Sequence, residues 1–390
     1  MEYNFDKIID RNHTWSIKHD FKETFGQEQD VIPLWVADMD FESPAPVIAA
    51  LKRAVDHGVF GYSRADDRYY DALNDWYAKR FDWRPKKEWL VATPGVVFAL
   101  SVALLAFTEP GDAVLIQPPV YHPFRRAILR NHRELVENPL ILKDGQYQMD
   151  LADLEQKIEE HQVKLMILCS PHNPIGRVWT REELDALSAV CLRHHVFVIS
   201  DEIHGDFVWP GHRQLPYASL SEDCAMNSMI CTAPSKTFNL AGLSTSNILI
   251  PNEERRRKLK SALLDLGQEN INRMGLIACA AAYHGGEEWL EQLLCYLQGN
   301  LELVRQFCKK TEMIKLIEPE GTYLAWLDCR GMKRSEEELL AFFKKAGVWL
   351  DPGTHSGAEG EGFMRFNLAS PRVVIEKALE QIGAALEVLE

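Results

Sequence analysis

The sequence predicts an α/β fold: a mostly parallel sheet covered by helices, with a smaller α+β domain toward the C-terminal end. Three observations predict it. Short runs that are apolar at consecutive positions recur up to residue 250, as in Ala113–Ile116, Leu165–Cys169, Val196–Ile199 and Asn247–Ile250. Runs without polar alternation are the pattern of strands buried on both faces, as in parallel sheets. Helix-period segments separate the runs, giving the βα alternation of such a sheet. Past residue 286 the order changes to one long helix followed by mixed strands and helices.

Taken in order, residues 1–45 are irregular and punctuated by Pro33 and Pro44, with Pro46 just beyond. Within them Val31–Phe41 reads as a short strand followed by Asp38 and Asp40, whose plain reading is a turn with solvated carboxylates. The pattern Val47-Ile48-Leu51-Val55 predicts a helix over 46–57, and Leu73, Trp76 and Tyr77 share one face of a helix over 67–81. Gly58 and Gly61 frame the loop between them, which carries Tyr62. A strand then ends at Thr93-Pro94, Gly95 turns the chain, and an apolar helix runs to Phe107. Helix amides directly after a strand can receive an anion, although no Walker or Rossmann glycine pattern accompanies them.

Further strands end at Pro118-Pro119-Val120-Tyr121, at Ser170-Pro-His-Asn-Pro-Ile-Gly176, at Ser200-Asp-Glu-Ile-His204 and at Thr232. Thr180-Arg-Glu-Glu183 is a capping box that opens a helix through Leu184, Leu187 and Cys191. From about residue 252 the chain turns helical, with one long helix over 287–311. Strands over Gly321–Leu327, Val348–Leu350 and Phe363–Leu368 follow, with a capping box at Ser335–Glu338 and a terminal helix. Gly357–Gly362 reads as a mobile loop. The expected division is a segment over 1–45 packed on the small domain, a large domain over 46–285 and a small domain over 286–390.

The charge balance excludes some functions. With 43 Lys and Arg against 57 Asp and Glu, the net charge of −14 argues against general nucleic-acid binding and against anionic membranes. The start of the chain is acidic and has no apolar signal region, which with the composition predicts a cytoplasmic protein. Eight cysteines include no C-x-x-C pair; they read as small buried hydrophobes in a reducing compartment, with neither a disulfide framework nor a metal site.

Lys236 follows the strand that ends at Thr232 and sits among small and hydroxylated residues. Alone it reads as a loop cation. A lysine is costly to bury as a cation, however, and one with a lowered pKa readily attacks an aldehyde. Asn173, Asp201 and Lys236 are separated by 28 and 35 residues, each about one β-α repeat, and each falls just beyond a predicted strand. In such sheets ligands bind at the carboxyl ends of the strands, so the three converge on one edge beside Gly95.

Four segments extend the constellation: Ser170-Pro-His-Asn-Pro with Gly176, Ser200-Asp-Glu-Ile-His204, Pro234-Ser-Lys-Thr-Phe-Asn-Leu-Ala-Gly242 and Met364-Arg-Phe-Asn367. In combination they resemble the fold-type I pyridoxal phosphate enzymes, the aspartate aminotransferase superfamily, over nearly the full length. Trp35-Val-Ala-Asp-Met-Asp-Phe41 and Arg11-Asn-His-Thr-Trp-Ser16 narrow the resemblance to cystathionine β-lyases (C-S lyases) of the MalY/PatB type.

The resemblance implies a PLP-dependent transferase-like large domain and pyridoxal 5'-phosphate as cofactor. Lys236 is then the catalytic lysine that holds the cofactor, Asp201 the partner of its ring nitrogen, Asn173 a donor to its ring oxygen and Tyr121 the stacking aromatic. Gly95, Val96 and Val97 would offer amides to its phosphate, with the Ser235 hydroxyl, and Tyr62 would reach it from the neighbouring subunit of a homodimer with shared active sites. Arg365 would bind the substrate α-carboxylate, with Asn173 and Ala37 beside it.

Two departures from the superfamily pattern stand out. Ser244 takes the place of a phosphate-clamping arginine eight residues after the lysine, and His204 the place of a tyrosine at the ring oxygen. The implied activity is cleavage of cystathionine or related S-substituted cysteines to a thiol, pyruvate and ammonia. The alternatives are an aminotransferase and, less favoured, a regulatory protein that retains the fold.

Overall fold

A computed structural model describes residues 2–27 and 30–389; Met1, Glu28, Gln29 and Glu390, which fall in the expected terminal regions, lie outside the described residues. A seven-stranded sheet forms the centre. Its spatial order is Leu90–Thr93, Ser246–Leu249, Ser228–Thr232, Phe197–Asp201, Leu165–Cys169, Ala113–Ile116 and Glu134–Glu137. All run parallel except Ser246–Leu249, which is antiparallel to both neighbours. Leu90–Thr93 therefore points the same way as the rest, and Gly95 lies at the same edge as Asp201 and Lys236.

The apolar runs sort as a strand period of two requires. Leu115, Met166, Leu168 and Val198 enter one core, and Val114, Ile116, Ile167 and Ile199 enter the other. The helix Val96–Phe107 is apolar nearly all round because it lies in the second core, with the helix Glu253–Asp265 against it. The helix Asp67–Phe81 starts where the Asp66 carboxylate accepts the Arg68 amide, and stops at Asp82 in the left-handed region (φ 52°). Both expected capping boxes close, Thr180 with Glu183 and Ser335 with Glu338.

A second, four-stranded sheet has the order Lys315–Ile317, Leu324–Asp328, Phe363–Asn367 and Asp351–Pro352, all antiparallel. The N-terminal segment reaches this region: Ile32 and Pro33 pair in parallel with Val348 and Trp349. Phe5 packs edge-on against Phe41 and Trp289, fixing the segment over the long helix Glu287–Cys308.

The structure adds elements that the sequence reading does not contain and changes two of its expectations. The strand Glu134–Glu137 and the hairpin Ile141–Lys143 with Gln146–Gln148 are polar and half exposed, so they carry no continuous apolar run. The expected mobile loop over Gly357–Gly362 is a tightly packed pair of turns. A Cβ on Gly360 would fall 2.0 Å from the Gly353 oxygen, and Val120 donates its amide to the Ser356 carbonyl. Asp38 and Asp40 are not solvated. Arg11 bonds both, at 2.6 and 2.7 Å, and Lys18, with no exposed surface, reaches Asp40 at 2.7 Å. Burial opposes ionisation of Asp40, but Lys18, His19 and Ser370 together hold its carboxyl well below the usual range.

Candidate active site

The strand ends deliver the polar residues to one cavity of about 600 Å³ between the two sheets. Asp201 is the last residue of Phe197–Asp201, Asn173 lies on the loop after Leu165–Cys169, and Lys236 sits in a single helical turn, Pro234–Thr237, beyond Ser228–Thr232. Arg365 enters from the middle of Phe363–Asn367 in the second sheet. Ala37, Gly95, Val96, Val97, Tyr121, His204 and Ser235 complete the lining among the expected residues.

Two residues of the sequence reading lie outside the cavity of this chain. Tyr62 is 97% exposed and does not line the cavity of its own chain. Ser244 is exposed, holds the left-handed region (φ 47°) at the end of the turn Ala241–Leu243, and also lies outside the cavity lining. The place of the superfamily arginine thus contributes nothing to the cavity of this chain.

Charge in the cavity is tuned by burial. Lys236 Nζ donates to the Ala37 carbonyl oxygen at 2.6 Å. Burial, then repulsion from Arg365, pulls its pKa down to about 8, against the pull of Asp38 and Asp201. Burial pushes the Asp201 carboxyl up to about 7, even though it accepts the Ile203 amide at 3.2 Å and faces Lys236. His204 is buried beside Lys236 and Arg365, so burial first and those cations second drive its pKa far down and keep it neutral. Tyr323 packs edge-on against His204 and donates its hydroxyl to the Ala37 oxygen at 3.0 Å.

Several lining residues have no individual role in the sequence reading, although Trp35, Asp351 and His355 fall in the regions 35–40 and 351–362 from which side-chain selectivity is expected. Asp351 stands directly opposite Arg365 across the sheet and binds it at 2.8 Å, and His355 Nδ1 lies 2.8 Å from the other carboxylate oxygen. His122 and Trp35 line the same cavity, and Trp35 stacks on Trp349 at 4.3 Å. The strap over Trp35–Phe41 is held from two sides. Asn367 donates to the Val36 and Asp38 carbonyls, both at 2.7 Å, and Asn239 donates to Met39 and Phe41 at 2.9 and 3.0 Å. Asn239 follows Lys236 by three residues, so one loop carries both the lysine and the clamp on the strap that receives it.

The sequence model described as aminotransferase class I and II matches residues 29–382. The chain belongs to this family. Within the class I and II aminotransferase family it is 45% identical to the cystathionine β-lyase PatB of Bacillus subtilis, over 98% of this chain and 100% of that one. It is 34% identical to the protein MalY of Escherichia coli, over 97% of both chains. Cystalysin from Treponema denticola, whose crystal structure contains a pyridoxal 5'-phosphate cofactor, superposes over 100% of both chains with a TM-score of 0.97 at 36% identity. The PLP-bound C-S lyase from Staphylococcus hominis superposes over 99% of this chain and 98% of that one, with a TM-score of 0.92 at 35% identity.

Proposed function

We propose that this protein is a pyridoxal-phosphate-dependent carbon–sulfur β-lyase that cleaves cystathionine or related S-substituted cysteines to a thiol, pyruvate and ammonia. The observation that carries the reading is a buried lysine with a lowered pKa that shares one cavity with a buried carboxylate and an arginine.

The donor set fits the cofactor. Asp201 is a buried carboxylate whose ionisation is suppressed by burial, the property expected of a group that shares a proton with a ring nitrogen. A Cβ built on Gly95 meets no atom within 4 Å, so the backbone there is open for close approach, and the amides that start Val96–Phe107 lie beside Ser235. A phosphate placed there meets helix amides, their dipole and a hydroxyl rather than an arginine. Asn173 and neutral His204 suit the ring oxygen, Tyr121 the ring face and Lys236 the covalent attachment.

Bound pyridoxal phosphate supplies a conjugated ring that accepts the electron pair left at the substrate Cα. The chain does the rest. Arg365, with Asn173 and Ala37 beside it, orients the substrate carboxylate. Lys236 Nζ takes the Cα proton, which its lowered pKa permits near neutral pH. The thiolate leaves from Cβ with the C–S bonding electrons and gains a proton. Water then converts the remaining three-carbon enamine to pyruvate and ammonia, so that one thioether and one water give one thiol, one pyruvate and one ammonium ion. Trp35, which stacks on Trp349, lines the cavity.

We also infer a homodimer. Val59, Phe60 and Tyr62 are exposed together on one loop, at 61%, 63% and 97%, and a second copy supplies both a cover for them and a cavity for Tyr62 to enter. Among the described residues no helix is long and apolar enough to cross a membrane. A reducing, cytoplasmic setting agrees with eight unpaired cysteines. A panel of S-substituted cysteines assayed for pyruvate release tests the activity and ranks its substrates; release from none of them contradicts it.

A further inference from the structure

Arg365 has five N–H donors, and their use decides what else it can bind. Nη2 donates to the Trp35 carbonyl at 2.8 Å and forms an ion pair with Asp351 Oδ2, also at 2.8 Å. Nη1 gives one proton to Asn173 Oδ1 at 3.2 Å. Nε is buried without an acceptor. A guanidinium has two edges that offer parallel N–H pairs to a carboxylate: the Nη1–Nη2 edge and the Nε–Nη2 edge. Both need a proton of Nη2. A substrate carboxylate that takes a bidentate seat therefore arrives at a nitrogen that the Trp35 oxygen and the Asp351 carboxylate already approach, and Trp35 presents its backbone oxygen in a strap that is clamped on both sides.

Asp351 is the side-chain partner, and it has a second contact of its own. Its Oδ1 is already paired with His355 Nδ1 at 2.8 Å, and His355 is 57% exposed at the cavity rim, with the His122 ring 6.0 Å away. We propose that Asp351 is a specificity-determining residue that competes with the substrate carboxylate for Arg365 and, when displaced, is held by His355. A carboxylate with no second anchor gains little by exchanging one anion for another. A substrate that is also anchored through its amine at Lys236 gains enough to displace Asp351. The device thus selects α-amino acids over amine-free carboxylates, the product pyruvate among them. It rests on the reading of Arg365 as the carboxylate-binding residue.

The test uses the cofactor-loaded protein, with propionate as an amine-free carboxylate. Three quantities are compared: KM for one S-substituted cysteine, the inhibition constant of propionate, and the thermal shift that propionate causes without substrate. In Asp351→Asn the propionate constant is expected to fall about tenfold, the scale of a charge-assisted hydrogen bond, with a larger thermal shift and a lower KM. His355→Ala, at an exposed position, is expected to move all three the other way, because Asp351 loses its second partner. Unchanged or weaker propionate binding in Asp351→Asn overturns the proposal, and so do shifts of the same sign in both variants. If Asp351→Asn fails to fold, the sign of the His355→Ala shifts decides. Arg365→Lys separates this proposal from the reading beneath it. Should that variant leave KM unchanged, the arginine assignment itself fails. If it raises KM while Asp351→Asn leaves propionate binding untouched, only the competition fails.

Discussion

Lys236 and Ala37 lie 199 residues apart in sequence, and the lysine ammonium donates to the Ala37 carbonyl at 2.6 Å. The contact joins the loop after a central strand to the strap from the N-terminal segment. Asn239, on the same loop, accepts the Met39 amide and donates to the Met39 and Phe41 carbonyls. The Arg11–Asp38–Asp40–Lys18 network then ties the strap to the residues before it. The position of the Lys236 amine thus depends on the N-terminal segment as well as on the sheet.

That dependence predicts a distant effect. Lys18→Met removes one member of a buried ion network while Arg11, His19 and Ser370 still contact Asp40, which costs about 1–3 kcal/mol of stability. Urea unfolding should show a lower midpoint, and the activity lost should exceed that of a surface lysine variant of equal stability.

On the proposed assignment, replacing Lys236 with alanine removes both the covalent hold on the cofactor and the base at Cα. Turnover should fall by several orders of magnitude, and the visible absorbance of the lysine–cofactor adduct should vanish. Circular dichroism should keep its wild-type form. Retained activity would rule out the assigned role.

Asp201 sets a pH dependence of stability in the cofactor-free protein. Its pKa rises from the ordinary 3.8 to about 7 on folding, so the folded state binds the proton more tightly. The sign follows: no penalty exists below the unfolded value, the penalty grows between the two values, and it is complete above about 7. Asp201→Asn should therefore melt several degrees higher than wild type at pH 8 and close to it at pH 4, while holding the cofactor more weakly. Equal melting temperatures at both pH values would contradict this account of the carboxyl.

Tyr62→Phe should leave the fold and the dimer intact while weakening cofactor retention, since the proposed role of the residue is a hydroxyl contact across the subunit interface. Dialysis followed by cofactor titration measures it. Retention equal to wild type would remove Tyr62 from the site.

Much of this was legible in the sequence for one physical reason. Strands buried on both faces must be continuously apolar, so their ends, and the polar residues just past them, stand out. Asp201, Asn173 and Lys236 were visible in this way. Arg365 needed the family resemblance, because an arginine in a strand reads equally well as an edge residue. Asp351 was hidden because Asp351-Pro-Gly353 has the composition of a turn, although its register places it opposite Arg365. Asn239 and Asn367 lie within two of the motifs, but their task is not legible there, since the carbonyls they hold come from a strap some 200 and 330 residues away. Ser244 shows the reverse case: alignment by spacing brought it to the phosphate, and the local turn carries it to the surface.

The central claim is that Cα proton removal ends in loss of a thiolate from Cβ rather than in transfer of the amino group. The direct measurement is a time course of the cofactor-loaded protein with cystathionine, run with and without an added keto acid, in which thiol, pyruvate and ammonia are all quantified. The account predicts the three products in equal amounts at a rate independent of the keto acid. Turnover that requires the keto acid, and yields its amino acid instead of free thiol, would contradict it.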